Sequence, residues 1–396
     1  MSEKVFKTLE KWGVKNYKII DKQAIKEITL GASILATGGG GDPEIGLLWA
    51  YKVLDEGKTV VMVDPMDIPD DILVASPACL GAPVVLTEKP PSSDVLNRAI
   101  KKLEQYWGKK LEATIPIECG GVNSTVAYAA AGEFEVPVID VDGMNRAFPE
   151  LQMTSWVTKG VNASPTVSCD DRGNVTVIDT GDDNKMAENI ARRVAMAYGG
   201  ISWIATYPMT GKQVKEASIL NSQSIAWELG KAVYRAREKH LDPVKEMLDS
   251  LKATRNVVGM KVFKGKIVDI SREFGGEATK GFSLGRIRMD GLDEYKGSVA
   301  EIDFQNEWLV LRIDGKIRCL PPDLIAIVDS ETGEPIRTDI MKYGYRGSII
   351  LIPAHERMRT PEGIKLFGPR YFGYDMDYVP VEELNKEVLG DGRQLQ

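Results

Sequence analysis

The stretch ATIPIECGGVNSTVAYAAAGEFEVPVIDVD, residues 113–142, decides the fold class. A strand pattern over 113–118 runs into the turn Cys119-Gly120-Gly121, and a helix of small residues follows it. A second strand pattern covers 137–142. A strand, a helix and a strand in this order form a βαβ unit, whose strands pair in parallel. The sequence therefore predicts a layered α/β N-terminal domain with a mixed or parallel sheet.

The residues before this unit continue the same alternation. Asp42-Pro43 is typical of a helix start, because Asp caps the helix and Pro is tolerated in its first turn. The pattern predicts helices at 22–35, from Asp42-Pro43 to about Glu56, and at 93–107, and strands at 59–64, 72–78 and 82–86.

The second half of the chain changes character. Helical periodicity predicts a helical segment over 183–253, in which Ser222-Gln223-Ser224 fits a cap. Short strands with frequent turns over 256–352 predict a β-rich barrel or sandwich. Asp314-Gly315 is a hairpin signal, and the aromatic tail after it is expected to be ordered. We therefore predict an N-terminal α/β domain at 20–167 and a C-terminal part at 168–380.

Composition excludes several classes of protein. The net charge of -7 argues against a nucleic-acid-binding protein, which would carry a basic surface. No stretch is apolar enough to span a membrane, and residues 1–20 do not read as a secretory signal. We therefore expect a cytoplasmic protein that binds a small molecule, forms a homo-oligomer and keeps its four cysteines as free thiols. With two histidines, proton transfer is expected to fall to carboxylates, Lys, Tyr or Cys.

The first candidate site segment is Thr37-Gly38-Gly39-Gly40-Gly41-Asp42-Pro43. Glycines leave main-chain N–H groups unshielded, and this loop leads into a helix, so Gly39, Gly40, Gly41 and Asp42 could bind an anionic or carbonyl oxygen. The alternative is a close turn between helices that needs positive φ angles.

The second candidate segment is Glu118-Cys119-Gly120-Gly121-Val122-Asn123. In open α/β sheets, ligands bind outside the carboxyl ends of the strands. Glu118 is therefore predicted to line a site together with Gly121 and Asn123. Alternatively, Asn123 only caps the helix and the glycines only turn the chain. The sequence shows no base that could activate Cys119 as a nucleophile.

The third candidate segment, DVDGMNRAFPELQM (140–153), follows the next strand. Asp140 and Asp142 are predicted to approach Glu118, because the ends of neighbouring parallel strands meet at one sheet edge. Paired carboxyl groups shift each other's pKa values and can serve as acid and base, or they could hold a divalent metal. The loop also brings Arg146, Glu150 and Gln152. Alternatively, it is an acidic surface loop that Arg146 neutralises.

These segments resemble the S-methyl thiohydantoin desulfurase family. The resemblance rests on TGGGGDP (37–43), ECGGVNS (118–124), DVDGMNRAFPELQM (140–153), SQSIAWELGKAVYRAR (222–237), GKIVDI (265–270), GF-x-x-G (281–285) and the tail at 361–375. It covers about residues 20 to 380, and Asn145 stands where the family pattern suggests Gly.

The resemblance implies an α/β domain followed by a β-rich domain, and a hydrolase that releases methanethiol from S-methyl thiohydantoin. In that mechanism Glu118, Asp142 or Asp140 would act as base or acid, and the glycine-loop N–H groups or Arg146 would stabilise developing charge. The cofactor stays open, with a divalent metal on the carboxylates as one option. Two other functions remain: a non-catalytic subunit that binds a small molecule or nucleotide beside a hydantoinase or oxoprolinase partner, and a metal-dependent hydrolase of cyclic amides.

Overall fold

The computed structural model describes residues 3–89, 91–92, 94–255, 257–274 and 282–390. The chain forms two compact units, and the segments of one unit alternate along the sequence with the segments of the other. Unit 1 comprises residues 1–29, 40–145 and 150–224, and unit 2 comprises 30–39, 146–149 and 225–396. The domain limits predicted from the sequence stay a prediction.

The helices alternate with strands up to residue 220 and lie at both ends of a strand-rich region after it. They are α1 (Glu3–Trp12), α2 (Lys22–Leu35), α3 (Pro43–Asp55), α4 (Pro83–Glu88), α5 (Val95–Trp107), α6 (Gly121–Phe134), α7 (Ser155–Thr158), α8 (Asn184–Ala197), α9 (Gly211–Ala217), α10 (Ser222–Lys239), α11 (Pro243–Arg255), α12 (Pro361–Phe367), α13 (Val381–Leu384) and α14 (Lys386–Gly390).

The strands before residue 221 are β1 (Tyr17–Ile19), β2 (Val61–Val63), β3 (Leu73–Gly81), β4 (Ala113–Thr114), β5 (Val138–Ile139), β6 (Val141–Asp142), β7 (Thr166–Cys169), β8 (Val175–Ile178), β9 (Ile201–Thr210) and β10 (Ile219–Leu220). Those after residue 259 are β11 (Met260–Phe274), β12 (Ser283–Gly291), β13 (Val299–Gln305), β14 (Glu307–Ile313), β15 (Lys316–Cys319), β16 (Leu324–Asp329) and β17 (Arg346–Ile352).

Unit 1 contains a mixed eight-stranded sheet in the order β1-β2-β5-β4-β3-β9-β7-β8. Its parallel centre includes the predicted βαβ unit, since Thr114 of β4 pairs in parallel with Val138 of β5 and α6 connects them. Strands β1 and β9 join this centre antiparallel. The mixed α/β sheet predicted from residues 113–142 is therefore confirmed.

Local signals placed most helices of unit 1 correctly, but one apolar run was assigned wrongly. Residues 82–86 were predicted as a strand, and the structure has α4 there instead. Pro83 occupies the first helical turn, where its missing N–H breaks no hydrogen bond. A short apolar run fits a buried strand or a buried helix equally well, so periodicity alone could not decide.

The region 183–253 contains the predicted helices α8, α10 and α11, but they do not fill it. Residues 201–210, ISWIATYPMT, form β9, which pairs antiparallel with β3 in the middle of the sheet. The run is rich in β-branched and aromatic residues, which favour strands. A central strand therefore interrupts the segment that was predicted as helical.

Unit 2 is built on a curled, antiparallel seven-stranded sheet in the order β15-β14-β13-β12-β11-β17-β16. Its core includes Phe263, Ile302 and Trp308, all buried. Asp314 and Gly315 both have positive φ angles and connect β14 to β15, as the hairpin signal predicted. Together these features confirm the predicted β-rich C-terminal domain.

The aromatic tail is ordered in the part of the chain that the structure describes. Phe372, Tyr374 and Tyr378 pack on a small cluster of buried residues around Leu309 and Leu320. Gly281, which opens the GF-x-x-G motif, lies outside the described residues. Across the described ranges, no helix combines the length and the hydropathy that a bilayer crossing requires.

Candidate functional site

The glycines at 40–41 and 120–121 let two main-chain segments of unit 1 touch. A Cβ atom on Gly40 would lie 2.5 Å from the main chain of Gly120, and one on Gly121 would lie 2.0 Å from the carbonyl oxygen of Gly41. The Val122 N–H donates to the Gly40 carbonyl oxygen at 2.8 Å. The glycine loop therefore packs on the first turn of α6. Gly40 and Gly41 also have positive φ angles in the connection between α2 and α3, as the structural alternative for these residues requires, and the predicted ligand-binding role stays a prediction.

The two ends of the glycine loop have other roles. Gly39 belongs to unit 2, where a Cβ atom on it would lie 2.1 Å from Oε1 of Glu307. Asp42 caps α3, as the sequence predicted, and its Oδ1 accepts a hydrogen bond from the Glu44 N–H at 3.1 Å. These contacts explain both residues by packing and capping.

Glu118, which is buried, and Asn123, which is half-buried, form a hydrogen-bonded pair at the start of α6. Asn123 was considered as a helix cap, but α6 begins at Gly121 and Asn123 lies inside its first turn. Its Nδ2 donates to Oε1 of Glu118 at 2.8 Å, and its Oδ1 accepts from the Cys79 N–H at 2.7 Å. Glu118 is only 3% exposed, so Asn123 holds a buried carboxyl group in place.

The sequence suggested that Glu118 ends a strand, but in the structure it does not. Strand β4 stops at Thr114, and Pro116 follows, which has no N–H to continue a sheet ladder. The loop nevertheless runs beside the next candidate segment, because the Gly143 N–H donates to the Ile117 carbonyl oxygen at 3.0 Å. The segments carrying Gly40, Glu118 and Asp142 are therefore neighbours in unit 1.

Asp142 is fully buried in a turn that Asn145 closes. Its Oδ2 accepts a hydrogen bond from the Asn145 N–H at 2.9 Å. Oδ1 has no partner of normal hydrogen-bond geometry among the described residues, although Cys119 and Ser222 lie close enough to lower the pKa. Burial outweighs these contacts and raises the pKa of Asp142 to about 7. A carboxyl group with this pKa can both accept and donate a proton near neutral pH.

Ser222 and Gln223, which were not predicted as site residues, form a buried polar group next to Cys119. Gln223 Nε2 donates to Cys119 Sγ at 3.5 Å, and its Oε1 accepts from the hydroxyl groups of Ser124 at 3.1 Å and Tyr128 at 3.4 Å. Ser222 and Gln223 are both fully buried. The available signal was the polar run Ser222-Gln223-Ser224 before a helix, which fits a cap equally well.

Asp140 stabilises the first turn of α10. Its Oδ1 accepts hydrogen bonds from the N–H groups of Gln223 at 3.0 Å and Ser224 at 2.9 Å, and its Oδ2 accepts from the Ser224 hydroxyl. Burial raises the pKa of Asp140, and the bonds from Ser224 and Gln223 partly oppose this. The geometry fits a helix-capping carboxylate better than a catalytic one.

Glu150 and Gln152 are tied to α8. Glu150 Oε2 accepts hydrogen bonds from Gln152 Nε2 and from Lys185 Nζ, both at 2.5 Å. The next residue, Leu151, donates its N–H to Glu188 at 2.9 Å. These contacts form a buried polar cluster in which Glu150 and Gln152 already have partners on their own segment and on α8.

Arg146 belongs to unit 2 and is fully buried there. Its Nε donates to the Ala147 carbonyl oxygen at 3.0 Å. The two terminal nitrogens donate to the carbonyl oxygens of Pro322, Asp323 and Trp308 and to the Thr37 hydroxyl, at 2.8–3.1 Å. A guanidinium has five N–H groups, and all five have acceptors here. No N–H group of Arg146 is therefore left for the predicted contact with a substrate.

The described residues contain no group of three His, Cys, Asp or Glu side chains arranged to hold a metal ion. The carboxyl groups of Glu118, Asp140 and Asp142 are instead partnered by N–H and hydroxyl groups.

The raised pKa of Asp142 predicts how stability depends on pH. The folded protein binds this proton up to about pH 7, whereas the unfolded chain releases it near the ordinary value of 3.8. The contribution of Asp142 is therefore fully present below the lower value and is lost as the pH rises to the upper one. Urea unfolding across this range should show a smaller fall in the free energy of unfolding for Asp142→Asn than for the wild type. Equal falls would contradict the assignment.

Comparison with known proteins agrees with this architecture. A crystal structure of a protein from Chromobacterium violaceum, solved as a structural-genomics target, superposes with a TM-score of 0.72. The match covers 92% of this chain and 100% of that chain at 20% sequence identity, and so shows a shared fold. No curated protein matches the chain.

Two family models match consecutive parts of the sequence. The S-Me-THD-like N-terminal domain matches residues 23–180, and the S-Me-THD-like C-terminal domain matches residues 182–381. Since these matches span nearly the whole sequence, the chain belongs to the S-Me-THD-like family, as its resemblance to S-methyl thiohydantoin desulfurase indicated.

Proposed function

We propose that this protein is an enzyme that hydrolyses a small hydantoin-like ring. On S-methyl thiohydantoin, water would replace the methylthio group and release methanethiol. Family membership supports the substrate class. The observation that carries the proposal is Asp142, a buried carboxyl group whose pKa is raised to about 7 and whose Oδ1 has no partner of normal hydrogen-bond geometry among the described residues. Buried groups with raised pKa values and unsatisfied polar atoms are typical of functional sites.

The proposed reaction has two steps, and both change the bonds of the ring carbon that carries sulfur. First, the oxygen of water bonds to this carbon while Asp142 accepts a proton from the water. The electron pair of the carbon–nitrogen double bond moves to the ring nitrogen, which takes a proton from Glu118. Second, the carbon–sulfur bond breaks. Asp142 returns its proton to the departing sulfur, and Glu118 accepts the hydroxyl proton as the new carbonyl forms.

This sequence consumes one water, releases one methanethiol and restores both carboxyl groups. The neighbouring residues would maintain the geometry that it needs. Asn123 fixes Glu118 through its 2.8 Å hydrogen bond, and the Asn145 N–H fixes Asp142 at 2.9 Å. Cys119 lies close enough to Asp142 to lower its pKa, and Gln223 donates to Cys119, so this buried polar group would limit the access of bulk water to Asp142. Such preorganised surroundings are the main source of catalytic power in buried sites.

The test is to incubate the purified protein with S-methyl thiohydantoin and to follow thiol release with a chromogenic thiol reagent. We expect release that is proportional to protein concentration. Binding of the ring without thiol release would overturn the enzyme proposal and favour the non-catalytic subunit of a hydantoinase system. Activity that a chelator removes and a divalent cation restores would instead indicate the metal-dependent alternative.

Size-exclusion chromatography of the same sample tests the expected homo-oligomer.

A further inference from the structure

The side chain of Asn145 is buried without an evident structural partner. The residue is 1% exposed. Neither its Oδ1 nor its Nδ2 has a hydrogen-bond partner among the described residues. Burying an unsatisfied polar group destabilises the folded state, because the group loses its hydrogen bonds to water. A side chain that carries two such atoms in the folded protein therefore requires an explanation beyond packing.

The local backbone does not require an asparagine. Asn145 has a φ of 57°, in the left-handed region where Gly is the least strained residue. The bond that closes the turn comes from the main-chain N–H of Asn145, which donates to Oδ2 of Asp142 at 2.9 Å. Gly could supply both the φ angle and the N–H, so the turn leaves the amide group without a local role.

The same turn contains Oδ1 of Asp142, which has no partner of normal hydrogen-bond geometry among the described residues, although Cys119 and Ser222 lie close to the carboxyl group. Both polar atoms of the Asn145 amide thus lack partners, three residues after a buried carboxyl group with one incompletely hydrogen-bonded oxygen. Buried polar groups without partners are rare in folded proteins and are typical of sites that bind a ligand.

We infer that Asn145 is a specificity-determining residue that recognises the amide edge of a cyclic ligand. In a hydantoin-like ring, each amide N–H lies beside a carbonyl oxygen in the cis arrangement. An asparagine amide presents a donor and an acceptor with the complementary arrangement, so the two groups can form a pair of hydrogen bonds. The inference rests on the proposed function for the position of the ring beside Asp142, and it names the ligand class as cyclic amides with an unsubstituted N–H.

The inference predicts a particular form of selectivity. Replacing the ring N–H by N–CH3 removes the donor and leaves the buried Asn145 oxygen unpaired. Sites built to bind an N–H group discriminate strongly against analogues that lack it. Rings that carry a methyl group on the recognised nitrogen should therefore bind poorly to the wild type.

The test is isothermal titration calorimetry with hydantoin, 1-methylhydantoin and 3-methylhydantoin as probes. Hydantoin has no methylthio group, so its binding is measured without turnover. The test variant is Asn145→Gly, which keeps the left-handed φ and deletes the amide. The matched control is Asn221→Gly, because Asn221 has a φ of 59° and an exposed side chain.

We expect Asn145→Gly to weaken hydantoin binding on the order of 10- to 100-fold, the loss of two hydrogen bonds, and Asn221→Gly to leave it unchanged. One methylhydantoin should bind poorly to the wild type, and the Asn145→Gly variant should no longer distinguish it from hydantoin. Equal affinities of the wild type and Asn145→Gly for hydantoin would overturn the inference, as would the absence of hydantoin binding to the wild type. Thiol release from S-methyl thiohydantoin by the wild type tests the proposed function separately.

Discussion

Asp142→Asn is expected to lower thiol release from S-methyl thiohydantoin by about 10²- to 10⁴-fold, the usual contribution of a general base. The amide that replaces the carboxyl group has nearly the same shape, and its oxygen can still accept the Asn145 N–H. The variant should therefore fold while it loses the proton acceptor. Steady-state kinetics give the size of the effect, and circular dichroism reports whether the fold is intact.

The pH profile distinguishes a loss of proton transfer from a structural fault. Because burial raises the pKa of Asp142 to about 7, kcat/KM of the wild type should rise with pH and level off above this value. The residual activity of Asp142→Asn should lack this rise.

The control for this substitution is Asp64→Asn. Asp64 is exposed and caps a short helical turn through the Met66 N–H at 2.8 Å, and an Asn side chain can do the same. Its thiol release should match the wild type. Normal activity of Asp142→Asn would remove Asp142 from the mechanism, and Glu118→Gln would then show whether the other carboxyl group acts as the base.

Arg146→Met is expected to destabilise the protein by several kcal/mol, because each buried acceptor that loses its donor costs about 1–3 kcal/mol. The variant leaves four buried carbonyl oxygens and the Thr37 hydroxyl without the five N–H groups that they now accept. Its guanidinium also lies 4.3 Å from the centre of the Phe148 ring, so packing is lost as well. Urea unfolding measures the difference in free energy.

Arg146→Lys should be nearly as unstable as Arg146→Met, because an ammonium group has three N–H donors and cannot reproduce the planar fork. Arg193→Met is the matched control, since Arg193 lies on α8 with an exposed side chain. An Arg146→Met protein as stable as the wild type, but unable to bind hydantoin, would show that Arg146 contacts the ligand after all.

Local sequence signals determined the elements whose causes lie within a few residues. The βαβ unit, the start of α3 at Asp42-Pro43 and the Asp314-Gly315 hairpin depend on periodicity, capping and turn geometry, and all three were predicted correctly. The error at α4 and the interruption by β9 have a different origin. β9 is a strand because it pairs with β3, which is distant in sequence, whereas the short apolar run of α4 fits a helix or a strand until its surroundings are known.

The candidate site likewise has features that the sequence predicted and features that only distant contacts decide. Sequence order alone indicated that Glu118 and Asp142 follow consecutive strands of one parallel unit, and hydrogen bonding between Ile117 and Gly143 does bring their segments together. It could not indicate that Gln223 reaches Cys119, 104 residues away along the chain. Nor could it show that Arg146, four residues after Asp142, donates all its hydrogen bonds to acceptors of unit 2, to which it belongs itself.

The sequence by itself thus determined the α/β class, the β-rich second half, the family and the segments that carry the candidate carboxyl groups. These properties follow from short-range patterns that each segment carries alone. Only the tertiary structure decided which polar groups are satisfied: Asp140 and Arg146 by their neighbours, Asp142 and Asn145 only in part. Burial and hydrogen bonding depend on distant segments that meet on folding, and these also set the pKa that makes Asp142 the candidate base.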